Sequence, residues 1–192
     1  MSQRGCLIVI SGPSGAGKTS ICKALLKGLR DTAWSVSVTT RPKRPGELDG
    51  ESYQFISRKE FEAKEAAGEL LESAEYIGNR YGTPRQPVEK ALAAGRNIVL
   101  EIDVQGGMQV AKKMPESVRI FVLPPNMDSL RARLEGRGTE AEAQLAKRLG
   151  EADGEIAIAR DSGCYTHFVV NDVLESTVEQ VKQIIEQERR RA

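Results

Sequence analysis

The chain has 192 residues, 40% hydrophobic and 29% charged, which allows one substantial core and excludes disorder as the default state. A formal net charge of +1 gives no whole-molecule field to gather nucleic acid or anionic membrane, so any phosphate-binding surface must be local and suited to a small ligand. The apolar run at 6–10 is too short for a membrane span or a signal-peptide core, so a cytoplasmic location is expected.

In chain order, residues 7–10 form a short continuous apolar run of the kind found in a strand buried on both faces. A Gly-rich turn follows at once, and then 19–29, where Ile21, Ala24, Leu25 and Leu29 recur at helical spacing. From 34 to about 95 the pattern changes to short strand-like pieces (35–38, 53–56, 70–76) around one helix, which predicts a small β-rich lobe inserted into the first domain. Strand-to-helix alternation resumes at 98–102 with a helix after Asp103, and at 118–123 with a helix after Pro125. A charged, helical insertion around Gly136-Arg137-Gly138 spans about 126–150, and 168–170 leads into a last helix. Capping boxes are expected at Ser57 with Glu60, Thr139 with Glu142, and Ser176 with Glu179. The fold class is α/β, a mainly parallel sheet flanked by helices, divided as core 1–33, lobe 34–95, core 96–125, lid 126–150 and core 151–192. Cys6, Cys22 and Cys164 are odd in number and widely spaced, which predicts buried free thiols rather than disulfides or a zinc site. His167 is the only histidine, so His-based acid–base chemistry is a poor expectation and a strand-edge position the simpler one.

The sharpest signal is Gly12-Pro13-Ser14-Gly15-Ala16-Gly17-Lys18-Thr19, a G-x-x-x-x-G-K-[ST] match between a buried strand and a helix, as that phosphate loop requires. Glycines let successive N–H groups face one phosphate chain, the helix N-terminus adds partial positive charge, Lys18 reaches the β- and γ-phosphates, and Thr19 can ligate Mg²⁺. The glycines do not follow G-x-G-x-x-G, so dinucleotide binding is not supported. The loop alone leaves ATPase, GTPase and kinase open.

The inserted segments narrow that choice. Thr39-Thr40-Arg41-Pro42-Lys43-Arg44-Pro45-Gly46-Glu47, followed by Asp49-Gly50 and Tyr53-Gln54-Phe55, resembles the substrate lobe of guanylate kinases. So do Glu72 and Tyr81-Gly82-Thr83, Leu100-Glu101-Ile102-Asp103-Val104-Gln105-Gly106, Arg133-Leu134-Glu135-Gly136-Arg137-Gly138-Thr139, Lys147-Arg148-Leu149 and Val170-Asn171-Asp172. The resemblance runs over essentially the whole chain in the family's order. It implies a P-loop kinase that transfers the γ-phosphoryl of ATP to GMP or dGMP with Mg²⁺, with nucleotides as partners and neither nucleic acid nor membrane.

By the same resemblance, Gly12 to Ser20 (Gly12, Pro13, Ser14, Gly15, Ala16, Gly17, Lys18, Thr19, Ser20) would cradle ATP with Arg133, Arg137 and Arg148 from the lid, and Asn171 would lie near adenine. Arg41, Arg44, Tyr53 and Tyr81 would hold the GMP phosphate, and two guanidinium forks with two phenols suit a dianion that must stay nucleophilic. Ser37, Glu72, Thr83 and Asp103 would face guanine, with the Thr83 hydroxyl donating to O6. Asp103 ends an apolar strand and is divided between guanine and a Mg²⁺-bound water. The catalytic set implied is Lys18, Arg41, Arg137 and Arg148. Thr19-Ser20 stands where the family more usually has Ser-Thr, and either hydroxyl can bind Mg²⁺. Two rivals are a P-loop kinase for another small acceptor and a non-catalytic guanylate-kinase-like binding module. The intact loop weighs against the second.

Overall fold

A computed structural model describes residues 4–76, 78–136 and 142–191. Five strands form one fully parallel sheet, in order β2 (Thr32–Trp34), β7 (Asn97–Glu101), β1 (Leu7–Ser11), β8 (Val118–Leu123) and β9 (His167–Val170). The central strand β1 is buried along its whole length, which is why 7–10 reads as an unbroken apolar run. Helices close both faces. On one, α1 (Lys18–Gly28) and α7 (Leu174–Arg191) pack Ile21, Leu25, Val181 and Ile185 onto Ile8, Ile10 and Ile120. On the other, α3 (Arg85–Ala93) and α4 (Val104–Lys113) pack Val88, Leu92, Val110 and Met114 onto Leu7, Val9 and Leu100.

The second sheet is small and mixed, in order β4 (Gln54–Phe55), β3 (Val38–Thr39), β6 (Asn79–Pro84) and β5 (Leu70–Tyr76). Helix α2 (Arg58–Ala66) covers it with Phe61 against Val38 and Leu70. The expected capping box is present there: Ser57 accepts from the Glu60 amide while the Glu60 carboxylate accepts from the Ser57 amide. Trp34 ends the edge strand of the large sheet rather than a strand of the small one, and α3 packs on the large sheet, so the small sheet occupies 38–84.

Beyond β8, α5 (Met127–Glu135) and α6 (Glu142–Asp161) pack through Leu130, Leu134, Leu145 and Ala152. The expected cap at Thr139 lies outside the described residues. The expected cap at Ser176 is corrected: α7 begins at Leu174, which places Ser176 inside its first turn. Thr177 supplies the local bond instead, its hydroxyl donating to the Val173 carbonyl at 2.9 Å. The three cysteines carry free thiols, with Cys22 buried and Cys6 and Cys164 partly so. His167 opens the edge strand β9 and sits 3.5 Å from Glu188. Among the described residues no helix is long and apolar enough to cross a membrane.

Candidate functional site

The carboxyl ends of β1 and β7 open onto a cavity of about 770 Å³, the place where open parallel sheets bind ligands. Its wall brings together Gly12, Ser14, Lys18 and Thr19 from the phosphate loop, Trp34 and Ser37 from the core-to-lobe passage, and Tyr53 and Tyr76 from the lobe. Glu101, Asp103 and Glu155 complete it.

The loop is shaped from below by the sheet and from the side by the lid. A Cβ on Gly12, at φ +147°, would stand 2.3 Å from the Val122 carbonyl oxygen, so only glycine allows β1 to turn this close to β8. Gly17, the N-cap of α1 at φ +96°, leaves room for the Asn171 amide, whose Nδ2 would lie 2.1 Å from any Cβ there. That amide donates to the Ala16 carbonyl at 2.7 Å, and the Asn171 carbonyl in turn accepts from Arg133 Nη2 at 2.8 Å. Pro13, Gly15 and Ala16 are buried, and Gly15 lies against the Leu130 and Leu134 side chains of α5. Ser14, Thr19 and Ser20 are exposed.

Lys18 is folded back onto its own loop, its ammonium donating to the Gly12 carbonyl at 2.6 Å and the Pro13 carbonyl at 3.0 Å. Burial lowers its pKa, and the carboxylates of Glu101 and Glu155 oppose that shift. The Thr19 hydroxyl donates to Glu101 Oε1 at 2.6 Å. Asp103 caps α4, its Oδ1 accepting from the Gly106 amide at 2.7 Å, while its residue stays exposed at the cavity. Sequence reasoning divided Asp103 between guanine and a Mg²⁺-bound water and did not single out Glu101, two residues earlier at the strand end, which meets the Thr19 hydroxyl. A run of three apolar residues followed by two acids separated by one residue was the available signal.

Glu155 was also missed. It projects from α6 beyond the expected lid boundary and reaches the cavity, where its Oε2 is buried with no hydrogen-bond partner among the described residues. Burial pushes its carboxyl up to about 7, with Lys18 acting in the opposite direction. One glutamate in a helix crowded with acids offers no sequence signal.

In the lobe, Arg41 lies 5.6 Å from the Tyr53 ring centre and 5.8 Å from that of Phe55. Tyr53 and Tyr81 meet edge to face at 6.0 Å. Arg44 is exposed on the same loop. Glu72 and Thr83 are cross-strand partners on β5 and β6, 4% and 0% exposed, and the Thr83 hydroxyl donates to Glu72 Oε1 at 2.6 Å. The expected donation from Thr83 to a base is therefore preempted by a bond within the pair. Burial pushes the Glu72 carboxyl up to about 7, with nearby Asp103 adding to the rise and the bond from Thr83 resisting it.

Among the expected lid residues, Arg133 is on α5 and Arg148 is half-buried on α6, while Arg137 lies outside the described residues. A second cavity of about 590 Å³ opens at the far end of the sheet beside Cys6, Val118 and His167. There Arg119 donates to the carbonyls of Cys164, Pro115 and Ser117.

Three comparisons bear on this geometry. A family model described as guanylate kinase matches residues 4–188. A curated guanylate kinase of Symbiobacterium thermophilum is 48% identical over 188 residues, covering 98% of this chain and 88% of that protein. One from Desulfitobacterium hafniense is 48% identical over 181 residues, covering 94% and 89%. Among solved structures, the guanylate kinase from Anaplasma phagocytophilum superposes with a TM-score of 0.76 at 34% identity, covering 97% of this chain and 87% of that one.

Proposed function

The chain belongs to the guanylate kinase family and transfers the γ-phosphoryl group of ATP to GMP, and on that premise we propose how its own residues divide the work. The observation that carries the proposal is the shared cavity: phosphate-loop and lobe residues line one space, so donor and acceptor can meet without leaving the protein. The loop 12–20 with Arg133, Arg148, Arg137 and Asn171 forms the ATP side, and Ser37, Arg41, Arg44, Tyr53, Glu72, Tyr81, Thr83 and Asp103 form the GMP side. The 34–95 lobe and the 126–150 lid close on the two nucleotides and exclude the water that would otherwise hydrolyse ATP. The working location we propose is the cytoplasm.

The attacking atom is a phosphate oxygen already anionic at neutral pH, so no side chain has to remove a proton from it. The difficulty is repulsion between two polyanions and the charge spread over the transferring group. Lys18 exchanges the Gly12 and Pro13 carbonyls for the β- and γ-phosphate oxygens, an easy exchange because a lysine on carbonyls is held by neutral acceptors alone. Arg41 and Arg44, with the phenols of Tyr53 and Tyr81, hold the acceptor phosphate in line.

Mg²⁺ fits the donor set beside the loop. The Thr19 hydroxyl and the Glu101 carboxylate are hard oxygen donors, and no group of three or more His, Cys, Asp or Glu among the described residues could hold an ion unaided. That is the pattern for a cation carried in largely by phosphate oxygens and water. When bound, Mg²⁺ supplies charge neutralisation across the β- and γ-phosphates. Glu101 accepts the hydrogen bond of the Thr19 hydroxyl and so leaves that oxygen's lone pairs for the ion, and Asp103, from the helix cap it occupies, would face guanine.

Base choice rests on Glu72. An ionised carboxylate can accept from both N1–H and the N2 amino group of guanine, whereas adenine would present an unprotonated N1 to it. A coupled ADP-release assay over AMP, CMP, UMP, dTMP and GMP tests this reading. GMP use at least about a hundredfold above the others is expected, and comparable turnover of two bases would overturn it.

A further inference from the structure

One side chain at the rim of the lobe has a geometry that phosphate binding alone leaves unexplained. Glu47 uses both carboxylate oxygens within its own loop: Oε1 accepts from Arg41 Nη2 at 2.7 Å, and Oε2 accepts from the Arg44 backbone amide at 2.8 Å. The Glu47 amide closes the turn by donating to the Arg44 carbonyl at 3.2 Å, and Gly46 between them sits at φ +84°, a left-handed bend that glycine takes without strain. On the other edge of the guanidinium, Arg41 Nη1 donates to the Pro42 carbonyl at 2.7 Å. The Arg41 and Glu47 side chains are 10% and 20% exposed. Their mutual hydrogen bond is the leading cause of the raised Arg41 pKa and the lowered Glu47 pKa, so the pair stays ionised on both sides around neutral pH.

A carboxylate beside a dianion site has two opposite effects. It repels the incoming phosphate, and it fixes the arginine and the loop that receive the phosphate. The first effect is small here, because Glu47 is already neutralised by Arg41 at 2.7 Å. The second is larger, because a free arginine loses side-chain freedom on capturing a ligand, and a clamped one has lost it already. Arg41 still keeps N–H groups beyond those engaged by Glu47, Pro42 and the Tyr81 phenol, and its face is fixed over Tyr53 and Phe55.

We propose that Glu47 is the positioning residue of the acceptor site: it holds Arg41 and the Arg44 backbone in the geometry that receives the GMP phosphate, and makes no contact with the nucleotide itself. The inference rests on reading the lobe as the GMP site, and its test separates the two.

Equilibrium titration of the parent, Glu47→Gln, Arg41→Met and the double variant against GMP, guanosine and a non-hydrolysable ATP analogue provides that test, with a thermal melt to confirm folding. The parent should bind GMP far more tightly than guanosine, which tests the reading of the lobe. Glu47→Gln keeps the side-chain shape but loses the charged hydrogen bond, and should weaken GMP about tenfold while leaving guanosine and the ATP analogue within about twofold. In turnover, KM for GMP should rise by the same factor with kcat little changed. Because Glu47 acts through Arg41, adding Glu47→Gln to Arg41→Met should cost less than threefold more. Tighter GMP binding by Glu47→Gln would show a competing anion rather than a clamp, and fully additive losses would show action independent of Arg41. Either result overturns the proposal, as does a parent that gains nothing from the phosphate of GMP, which would overturn the reading of the lobe as well.

Discussion

The two sides proposed for the nucleotides are built by different means. The ATP side is backbone held by a large core: the loop 12–19 leaves the most buried strand, with Gly12 against Val122 and Asn171 tied to Ala16. The GMP side is made of side chains on a small sheet whose own buried cluster is Val38, Phe61 and Leu70. A phosphate loop has to present many amides to one fixed anion, and a deep core keeps those amides aimed. The acceptor lobe has to select a base and then release a product. A thin core with side-chain contacts serves that, because local opening is cheapest where little apolar area is buried. On the proposed reading, selectivity would depend on a few buried polar pairs such as Glu72 with Thr83, 4% and 0% exposed.

Breaking the ATP side at Lys18 should have the largest effect. Lys18→Ala removes the ammonium that is to cross to the β- and γ-phosphates and leaves behind two carbonyls at a solvent-facing cavity. Turnover should fall by about a thousandfold or more with circular dichroism unchanged. Activity within tenfold of the parent would break the assignment of this loop as the donor site.

The matching cut on the GMP side is Glu72→Gln. It loses a charge-assisted pair and turns one acceptor into a donor, so kcat/KM for GMP should drop by about two to three orders of magnitude. AMP use should change much less. Equal losses for both bases would make Glu72 a structural residue of the β5–β6 pair.

How much was legible in advance follows the same division. The loop could be read residue by residue because its chemistry is local: eight consecutive positions supply the amides, the lysine and the hydroxyl. The parallel strands could be read because burial on both faces leaves unbroken apolar runs such as 7–10. What could not be read depends on contacts between distant segments. Nothing near Thr19 indicates that its hydroxyl meets Glu101, 82 residues on. Trp34 looks like the start of the lobe, yet three backbone pairings place its strand on the edge of the large sheet. Ser176 has the spacing of a cap, but the helix starts at Leu174, where Thr177 bonds back to Val173. The Thr83 hydroxyl was expected on guanine O6, and only the cross-strand register shows Glu72 within its reach.

A finer test of the contrast concerns the tie between the loop and the residue that follows β9. Asn171→Ala removes the amide that anchors Ala16, so the loop loses one of the contacts that keep its amides aimed. A lost buried hydrogen bond of about 1–1.5 kcal/mol predicts about a tenfold rise in KM for ATP. KM for GMP should stay within twofold if the two sides are as separate as their construction suggests. Equal changes in both constants would show that Asn171 sets the fold of the whole cavity.

The smallest expected effect is also the most specific to the lobe, and it concerns pH. Burial pushes the Glu72 carboxyl up to about 7, above its ordinary value of 4.5, so in the free protein it is largely protonated below that point. The sign for stability follows: a raised carboxyl contributes fully while protonated, and that contribution is lost as pH rises from about 4.5 through about 7. Guanine needs the opposite state, since two donors face this side chain and only the ionised form can accept from both. GMP affinity should therefore rise with pH, by about threefold between about pH 6.5 and 7.5, in proportion to the ionised fraction. The GMP phosphate has its own pKa near 6 and adds a dependence in the same direction. Glu72→Gln separates the two, because it keeps the phosphate contribution and removes the carboxyl. Calorimetry in two buffers of different ionisation enthalpy should show the parent releasing more protons on binding GMP at pH 6.5 than the variant does. If the two release equal numbers, Glu72 is already ionised before the base arrives, and the GMP side selects guanine with a preset charge rather than one created on binding.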